Sequence, residues 1–235
     1  MPTKSHSPDL QASKFLIPPS QRRSLIRQFT LFTLCGWVIG GMVSFWLEKT
    51  IIQILPSNFL LDLSTTNLLA APINNIVFAV IFAAFPAFVL RRYLSGWLWM
   101  LATSIGWLLA NSVSAAWINS ILAIATSANS SLSSRAILFW GFISTLAYVI
   151  SAVWLGICQW LVLRLYTKNS GMWIFLPSFT FTCISILIFL LSRLSPLIPN
   201  INQEIILYWC QQFFTALILG IIPALGLCNL KRNAN

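Results

Sequence analysis

The chain offers few residues that could carry out acid–base, nucleophilic or metal chemistry. It contains one histidine, His6, and four carboxylates, Asp9, Glu48, Asp62 and Glu204. A Ser-His-Asp triad or a histidine-based metal site cannot be assembled around a single histidine in a polar N-terminal segment. The five cysteines include no Cys-x-x-Cys pair, so they define no metal or disulfide framework. We therefore expect no catalytic residue, no metal, no cofactor and no enzymatic activity.

Uncharged amides inside apolar segments are the remaining groups that could build a site. The candidates for an intramembrane polar site are Gln159, Asn111 and Gln211. An amide in hydrocarbon must find a hydrogen-bond partner, because leaving it unpaired is costly. Two interpretations stay open. The amides could simply join neighbouring helices, or they could line a polar path or ligand site at the centre of a bundle.

Six long apolar segments must position these amides. Hydrophobic residues make up 58% of the chain and charged residues 8%, whereas a soluble domain carries about 25% charged residues. A helix needs about 20 apolar residues to cross a bilayer. We predict an all-α, polytopic membrane protein with a loosely ordered, polar and basic tail at 1–28, a transmembrane domain at 29–230 and a short tail at 231–235. The predicted spans are Phe29–Leu47, Leu68–Leu90, Trp97–Trp117, Ile137–Leu163, Trp173–Leu191 and Ile205–Leu227.

Lysine and arginine fall almost entirely into alternate connections. Five lie within 1–28, and two each follow span two, span four and span six. The other connections hold one each, namely Lys49, Arg135 and Arg193. The positive-inside rule then predicts that both termini are cytoplasmic, in a plasma or a thylakoid membrane. The net charge of +10 follows from this topology, and we expect no nucleic-acid partner. The predicted cytoplasmic anchors are Arg91, Arg92, Arg164, Lys231 and Arg232.

The even-numbered spans resemble one another. Val89-Leu90-Arg91-Arg92-Tyr93 corresponds to Val162-Leu163-Arg164-Leu165-Tyr166, and a Ser-Gly pair follows each. A fainter third copy aligns Pro223 with Gln159 and Pro86. This pattern predicts three repeated helical hairpins of the same orientation, although shared membrane composition is the alternative. Gln159 is the leading polar candidate, because prolines stand at its equivalent positions.

Small residues four apart occur in five of the six spans. Such pairs let helix backbones approach closely, which is how spans associate within lipid. We expect them to pack the bundle internally, with an interface between copies as the alternative. The packing candidates are Gly36, Gly40, Ala79, Ala83, Gly106, Ala110, Ala152, Gly156, Ala216 and Gly220.

One hairpin also resembles a known group of sequences. The stretch Gly156-Ile-Cys-Gln159-Trp-Leu-Val-Leu-Arg164, followed by Gly171-Met-Trp173-Ile174, is similar to the Gly-x-x-Gln-Trp-x-x-Leu-Arg and Gly-Trp-Trp signature of uncharacterised multi-span proteins found largely in cyanobacteria. In span two, Pro86 and Ala87 stand in place of Gln-Trp. The resemblance implies a bacterial membrane protein, and it brings no activity, cofactor or active site.

Two classes of function remain. The first is a non-enzymatic scaffold, assembly or interaction protein, with the lipid bilayer and other membrane proteins as its partners. The second is a small-solute transporter or channel built from three parallel hairpins. The sequence favours the first, because transporters usually carry charged or polar groups in the middle of the membrane.

Overall fold

The apolar segments fold into helices, because a backbone in hydrocarbon must satisfy its N–H and C=O groups within its own segment. The computed structural model describes residues 15–54, 63–128, 134–194 and 203–233. Within these ranges the α-helices are α1 (Arg22–Ile54), α2 (Leu63–Leu90), α3 (Gly96–Ala128), α4 (Ser134–Ser151), α5 (Val153–Leu163), α6 (Leu176–Leu194) and α7 (Gln203–Asn229). Turns of 3₁₀ helix at Pro19–Gln21 and Ser170–Phe175 precede α1 and α6.

Six helical segments in the described ranges are long and apolar enough to cross a membrane, with α4 and α5 together forming the fourth. This confirms the prediction of an all-α polytopic membrane protein. Large apolar side chains such as Leu31, Met42 and Phe142 are more than half exposed on the outside of the bundle. Such a surface suits lipid, since hydrocarbon imposes no penalty on exposed apolar groups.

The helices differ from the predicted spans mainly at their ends. α1 begins seven residues before the predicted Phe29 and continues to Ile54, because hydropathy marks only the apolar centre of a helix. The predicted span Ile137–Leu163 is interrupted at Ala152, whose N–H donates to the carbonyl of Val149, three residues back. Neither proline nor glycine occupies this break, so the sequence carried no local signal for it.

The spans form a closed ring in chain order. Each span packs against the next, α4 and α5 both contact α3 and α6, and α7 returns to α1. Small residues allow these approaches. A Cβ atom on Gly106 would lie 2.8 Å from the Cα of Leu155, and one on Gly220 would lie 2.8 Å from the Cα of Thr30. The predicted packing residues are buried in this single chain, with the exception of Ala110, which is only half-buried. Their role in packing stays a prediction.

One end of the bundle gathers the N-terminal segment, the turn after α2, the connection after α5 and the C-terminal segment. We call it the basic end, after its cations Arg22, Arg23, Arg91, Arg92, Arg164, Lys168, Lys231 and Arg232. Two short strands, β1 (Thr167–Lys168) and β2 (Lys231–Arg232), pair there in antiparallel fashion, and Phe15 bridges to Lys231. All the predicted cytoplasmic anchors thus lie at this end. The end that carries Glu48 and Glu204 is called the opposite end.

Side chains join these segments further. The Tyr93 hydroxyl donates to Gln21 over 2.8 Å, and the backbone N–H of Ser95 donates to the Tyr166 hydroxyl over 3.2 Å. Burial raises the pKa of the Tyr93 hydroxyl, although the Arg92 charge opposes the shift. The hydroxyl is therefore a neutral donor at physiological pH.

Residues 15–28, predicted as the end of a loosely ordered tail, instead pack against the bundle. The N–H of Leu16 donates to the Leu230 carbonyl over 2.9 Å, and Ile17 is fully buried. Leu16 and Ile17 belong to one apolar cluster with Leu90, Leu163 and Leu227. A short apolar patch, Phe15-Leu16-Ile17, was the overlooked signal in a segment dominated by polar residues. Residues 1–14 lie outside the described ranges.

Burial in the even spans follows the predicted repeat register. Leu90, Leu163 and Leu227 stand four residues after Pro86, Gln159 and Pro223, and all three are 0% exposed. The Ser-Gly pairs differ, however. Gly96 opens α3 against the carbonyl of Ala87, whereas Gly171 lies in a 3₁₀ turn with open space around its Cα. The three-hairpin duplication therefore stays a prediction.

Gly156→Ala should destabilise the folded chain. An added Cβ would overlap the Ile174 carbonyl, and overpacking of this kind costs about 1–3 kcal/mol. The matched control is Gly141→Ala on α4, where a Cβ meets nothing within 4 Å. Thermal unfolding in one detergent should show a lower melting temperature for Gly156→Ala and an equal or higher one for Gly141→Ala. Equal melting temperatures for the two variants would contradict this packing.

Candidate functional site

Gln159 is the best-connected buried amide of the bundle. It projects from α5 and is 8% exposed. The indole N–H of Trp173 donates to Gln159 Oε1 over 2.9 Å, and Gln159 Nε2 donates to Thr103 Oγ1 over 3.2 Å. Because an indole N–H can only donate, the amide oxygen must face Trp173. Gln159 therefore joins α5, α3 and the 3₁₀ turn before α6.

A small cavity lies beside Gln159 at the centre of the ring. About 40 Å³ is open to the centre of a water molecule, and roughly 10–15 Å³ is enough for one ordered water. Each of the six spans contributes to its wall. The lining residues are Phe29, Thr33, Phe82, Pro86, Trp99, Thr103, Leu155, Gln159, Pro177, Thr180, Phe181, Leu219 and Pro223.

Pro86, Gln159 and Pro223, which the repeat makes equivalent, meet at this cavity. Pro86 stands four residues before the end of α2 and Phe82 eight, so the cavity wall extends from about 6 Å to about 12 Å inside the basic end, at 1.5 Å per helical residue. The sequence indicated these three positions but not the threonines and Trp99 that complete the wall.

The polar groups around the cavity are neutral and mostly paired. Thr33 and Thr180 donate to carbonyls one turn earlier in their own helices, those of Phe29 and Leu176. Trp99 packs edge-to-face on Trp173, with 5.9 Å between ring centroids. The lining residues include no acid, base or histidine. Such a wall can hold a few waters, and it has no group that would donate or accept a proton at physiological pH.

Apolar clusters flank the cavity on both sides. Toward the basic end, Phe29 and Trp99 belong to the cluster that contains Leu16 and Ile17. Away from it, Phe82, Leu155, Phe181 and Leu219 belong to a second cluster, which is rich in aromatic rings. Within that cluster the rings of Phe82 and Trp107 are 5.2 Å apart, and Tyr148 meets Phe181 edge-to-face at 5.0 Å. The cavity is thus small, uncharged and flanked by apolar side chains on both sides.

The other two amide candidates lie elsewhere. Asn111 Nδ2 donates to Asn75 Oδ1 over 3.2 Å, next to Asn74, which donates to Glu48 over 3.3 Å. Asn111 is therefore near the opposite end. Gln211 is half-buried and has no side-chain hydrogen bond to another residue of the described ranges. The structure brings only Gln159 to the cavity.

The neighbour of Gln211 makes the contact that sequence reasoning missed. Gln212 Oε1 accepts the indole N–H of Trp37 over 2.9 Å, which joins α7 to α1. Adjacent residues on a helix point about 100° apart, and hydropathy alone did not decide which of the two glutamines faces inward.

Within the described part of the chain, no three His, Cys, Asp or Glu side chains lie close enough to hold a metal ion. The five cysteines are free thiols. Comparisons with known protein families, with curated proteins and with solved structures give no match to this chain. The class that the structure defines is therefore a multi-pass integral membrane protein.

Gln159→Leu should destabilise the bundle by about 1–3 kcal/mol, because it leaves the Trp173 N–H buried without its acceptor. Gln211→Leu is the matched control, since the same substitution there removes no hydrogen bond to a described residue; it should change stability by less than about 0.5 kcal/mol. Thermal unfolding monitored by circular dichroism measures both. If the two variants were equally stable, the hydrogen bonds of Gln159 would contribute little to the stability of the bundle.

Proposed function

We propose that this chain is a non-enzymatic scaffold, assembly or interaction protein of a biological membrane. The observation that carries the proposal is the small size and uncharged lining of the central cavity. It has room for about three or four waters, and apolar clusters lie on both sides of it. Since the described residues at the centre enclose only this small, uncharged cavity, the outer surfaces are left to act, toward lipid and toward other membrane proteins.

The proposal includes an orientation with both termini in the cytoplasm. Its support is the charge distribution, because the cations of four separate segments gather at the basic end, and cytoplasmic loops carry an excess of Lys and Arg. The resemblance to cyanobacterial multi-span proteins supports a bacterial origin. It rests on Gly156–Arg164 and Gly171–Ile174 alone.

A small-solute transporter or channel is the second candidate. The observation in its favour is that one cavity is lined by all six spans, with prolines of α2 and α7 in its wall. A proline within a helix removes one backbone hydrogen bond and can mark a bend. The absence of any charged residue from the lining weighs against coupling to protons or ions.

Co-purification and flux together test the proposed class. Tagged chain extracted from native membranes in mild detergent should retain a near-stoichiometric membrane protein, and tagging that partner should capture the chain in return. Vesicles that contain the purified chain should release trapped small uncharged solutes no faster than empty vesicles. Flux by the purified chain without a partner would instead establish the transporter.

Cysteine labelling tests the orientation. In a background without the five native cysteines, Ser127→Cys near the end of α3 should react with a membrane-impermeant maleimide applied to intact cells. Lys168→Cys at the basic end should react only after the cells are permeabilised. Both positions are exposed, so access to the reagent is the variable being measured. The reverse labelling pattern would overturn the proposed topology.

A further inference from the structure

Cations at the ends of several helices fold back onto aromatic rings. Among the described residues, Arg91 lies over the ring of Phe88 at 3.8 Å from its centroid, and Arg164 lies over Trp160 at 5.3 Å. Both arginines belong to the basic end. The opposite end shows the same arrangement, with Lys49 over Phe45 and Arg193 over Phe189. In each pair the ring precedes the cation by three or four residues.

This spacing determines the depth of the charge. Side chains on a helix lean toward its N-terminus, and α2 and α5 both end at the basic end. A guanidinium stacked on a ring three or four residues earlier therefore lies about one turn, roughly 5 Å, closer to the membrane interior than its own Cα. Arg91 and Arg164 thus hold their charges beside the last turn of the apolar segments that end at Leu90 and Leu163.

The same contacts keep these charges on the outside of the bundle. Phe88 is 51% exposed, and both arginines are exposed. The carboxylates of the described ranges, Glu48 and Glu204, lie at the opposite end. No described acid is therefore near enough to neutralise Arg91 or Arg164, and a charge at the hydrocarbon boundary needs a counter-ion.

We propose that Arg91 over Phe88 and Arg164 over Trp160 are two binding sites for the headgroup phosphate of an anionic phospholipid. The π face of the ring attracts the guanidinium and holds it about one helical turn back from its own Cα. The N–H groups along its edge stay free, and an edge of this kind binds phosphate through two parallel hydrogen bonds. Phosphates of the surrounding lipid lie at the depth where the rings hold these charges.

The test compares two double variants that lose the same charge from the same end. Arg91→Gln with Arg164→Gln removes both proposed sites. Arg92→Gln with Lys168→Gln removes two exposed cations for which the structure records no ring contact. Phosphatidylglycerol is titrated onto the purified full chain in detergent, and native mass spectrometry counts the bound lipids. Parallel melting curves establish that each variant is folded.

We expect the two tightest phosphatidylglycerol molecules to bind about tenfold more weakly to the first variant, as suits the loss of charge-assisted hydrogen bonds. The control variant should bind them as the parent does. Phe88→Leu with Trp160→Leu keeps every charge and should still weaken these two sites. Inorganic phosphate at the same concentration should not compete, because the proposed ligand is a lipid.

Equal weakening in the first variant and its control would overturn the proposal in favour of a diffuse basic surface. Unchanged binding in the first variant would also overturn it. Competition by inorganic phosphate would reassign the sites to a soluble anion. None of these outcomes depends on whether the chain is a scaffold or a transporter, so the proposal is independent of the proposed function.

Discussion

Close approach of helix backbones is the constraint on which this bundle depends. Lipid tails are as apolar as leucine, so burying one span against another gains little from the hydrophobic effect, and dispersion and hydrogen bonding must supply the association. Dispersion falls off steeply with distance. Glycines at the contacts of α3 with α5 and of α7 with α1 bring backbones within reach of each other, and the ring closes only because such contacts recur around it.

The same constraint explains where polar groups are found. A polar side chain between tightly packed helices has no water to bind, so a partner on another helix or in its own backbone stabilises it where one is at hand. The buried indole N–H groups of Trp99 and Trp107 have no such partner among the described residues. Gln159 uses both ends of its amide, Gln212 accepts from Trp37, and Thr33 and Thr180 bind their own helices. The amides therefore act with the glycines: glycines allow the approach, and amides select which faces meet.

Hydropathy and charge were enough to predict the spans, the fold class and the segments that lie at the basic end. Each of these depends on the apolar content of a stretch of about 20 residues or on the positions of Lys and Arg, which can be read directly from the sequence. The sequence could not decide whether Gln211 or Gln212 faces a neighbouring helix. Adjacent residues have the same average hydropathy around them and differ only in the direction of the side chain. The break at Ala152 was not predicted either, because Ala152 is an ordinary helix former and no local residue type marks the break. Leu16 and Ile17 are buried because they pack in one cluster with Leu90, Leu163 and Leu227. These leucines are distant in sequence, so no local pattern reveals the contact.

The N-terminal segment packs on the basic-end side of the central cavity, because Leu16 and Ile17 share a cluster with the lining residues Phe29 and Trp99. At the basic end the hydrophobic effect operates as it does in soluble proteins, because displaced side chains would meet water. Exposing one fully buried leucine or isoleucine costs about 1.5–3 kcal/mol, so displacing Leu16 and Ile17 alone costs about 3–6 kcal/mol. Since each 1.4 kcal/mol is a factor of ten in population, fewer than about one molecule in a hundred would have this segment displaced at equilibrium.

A solute entering from the basic end would have to supply that free energy through contacts with a neutral wall of threonine, glutamine and aromatic side chains. This cost supports the proposed scaffold or interaction function, because it leaves the outer surface and the basic end as the faces that lipid and partners contact.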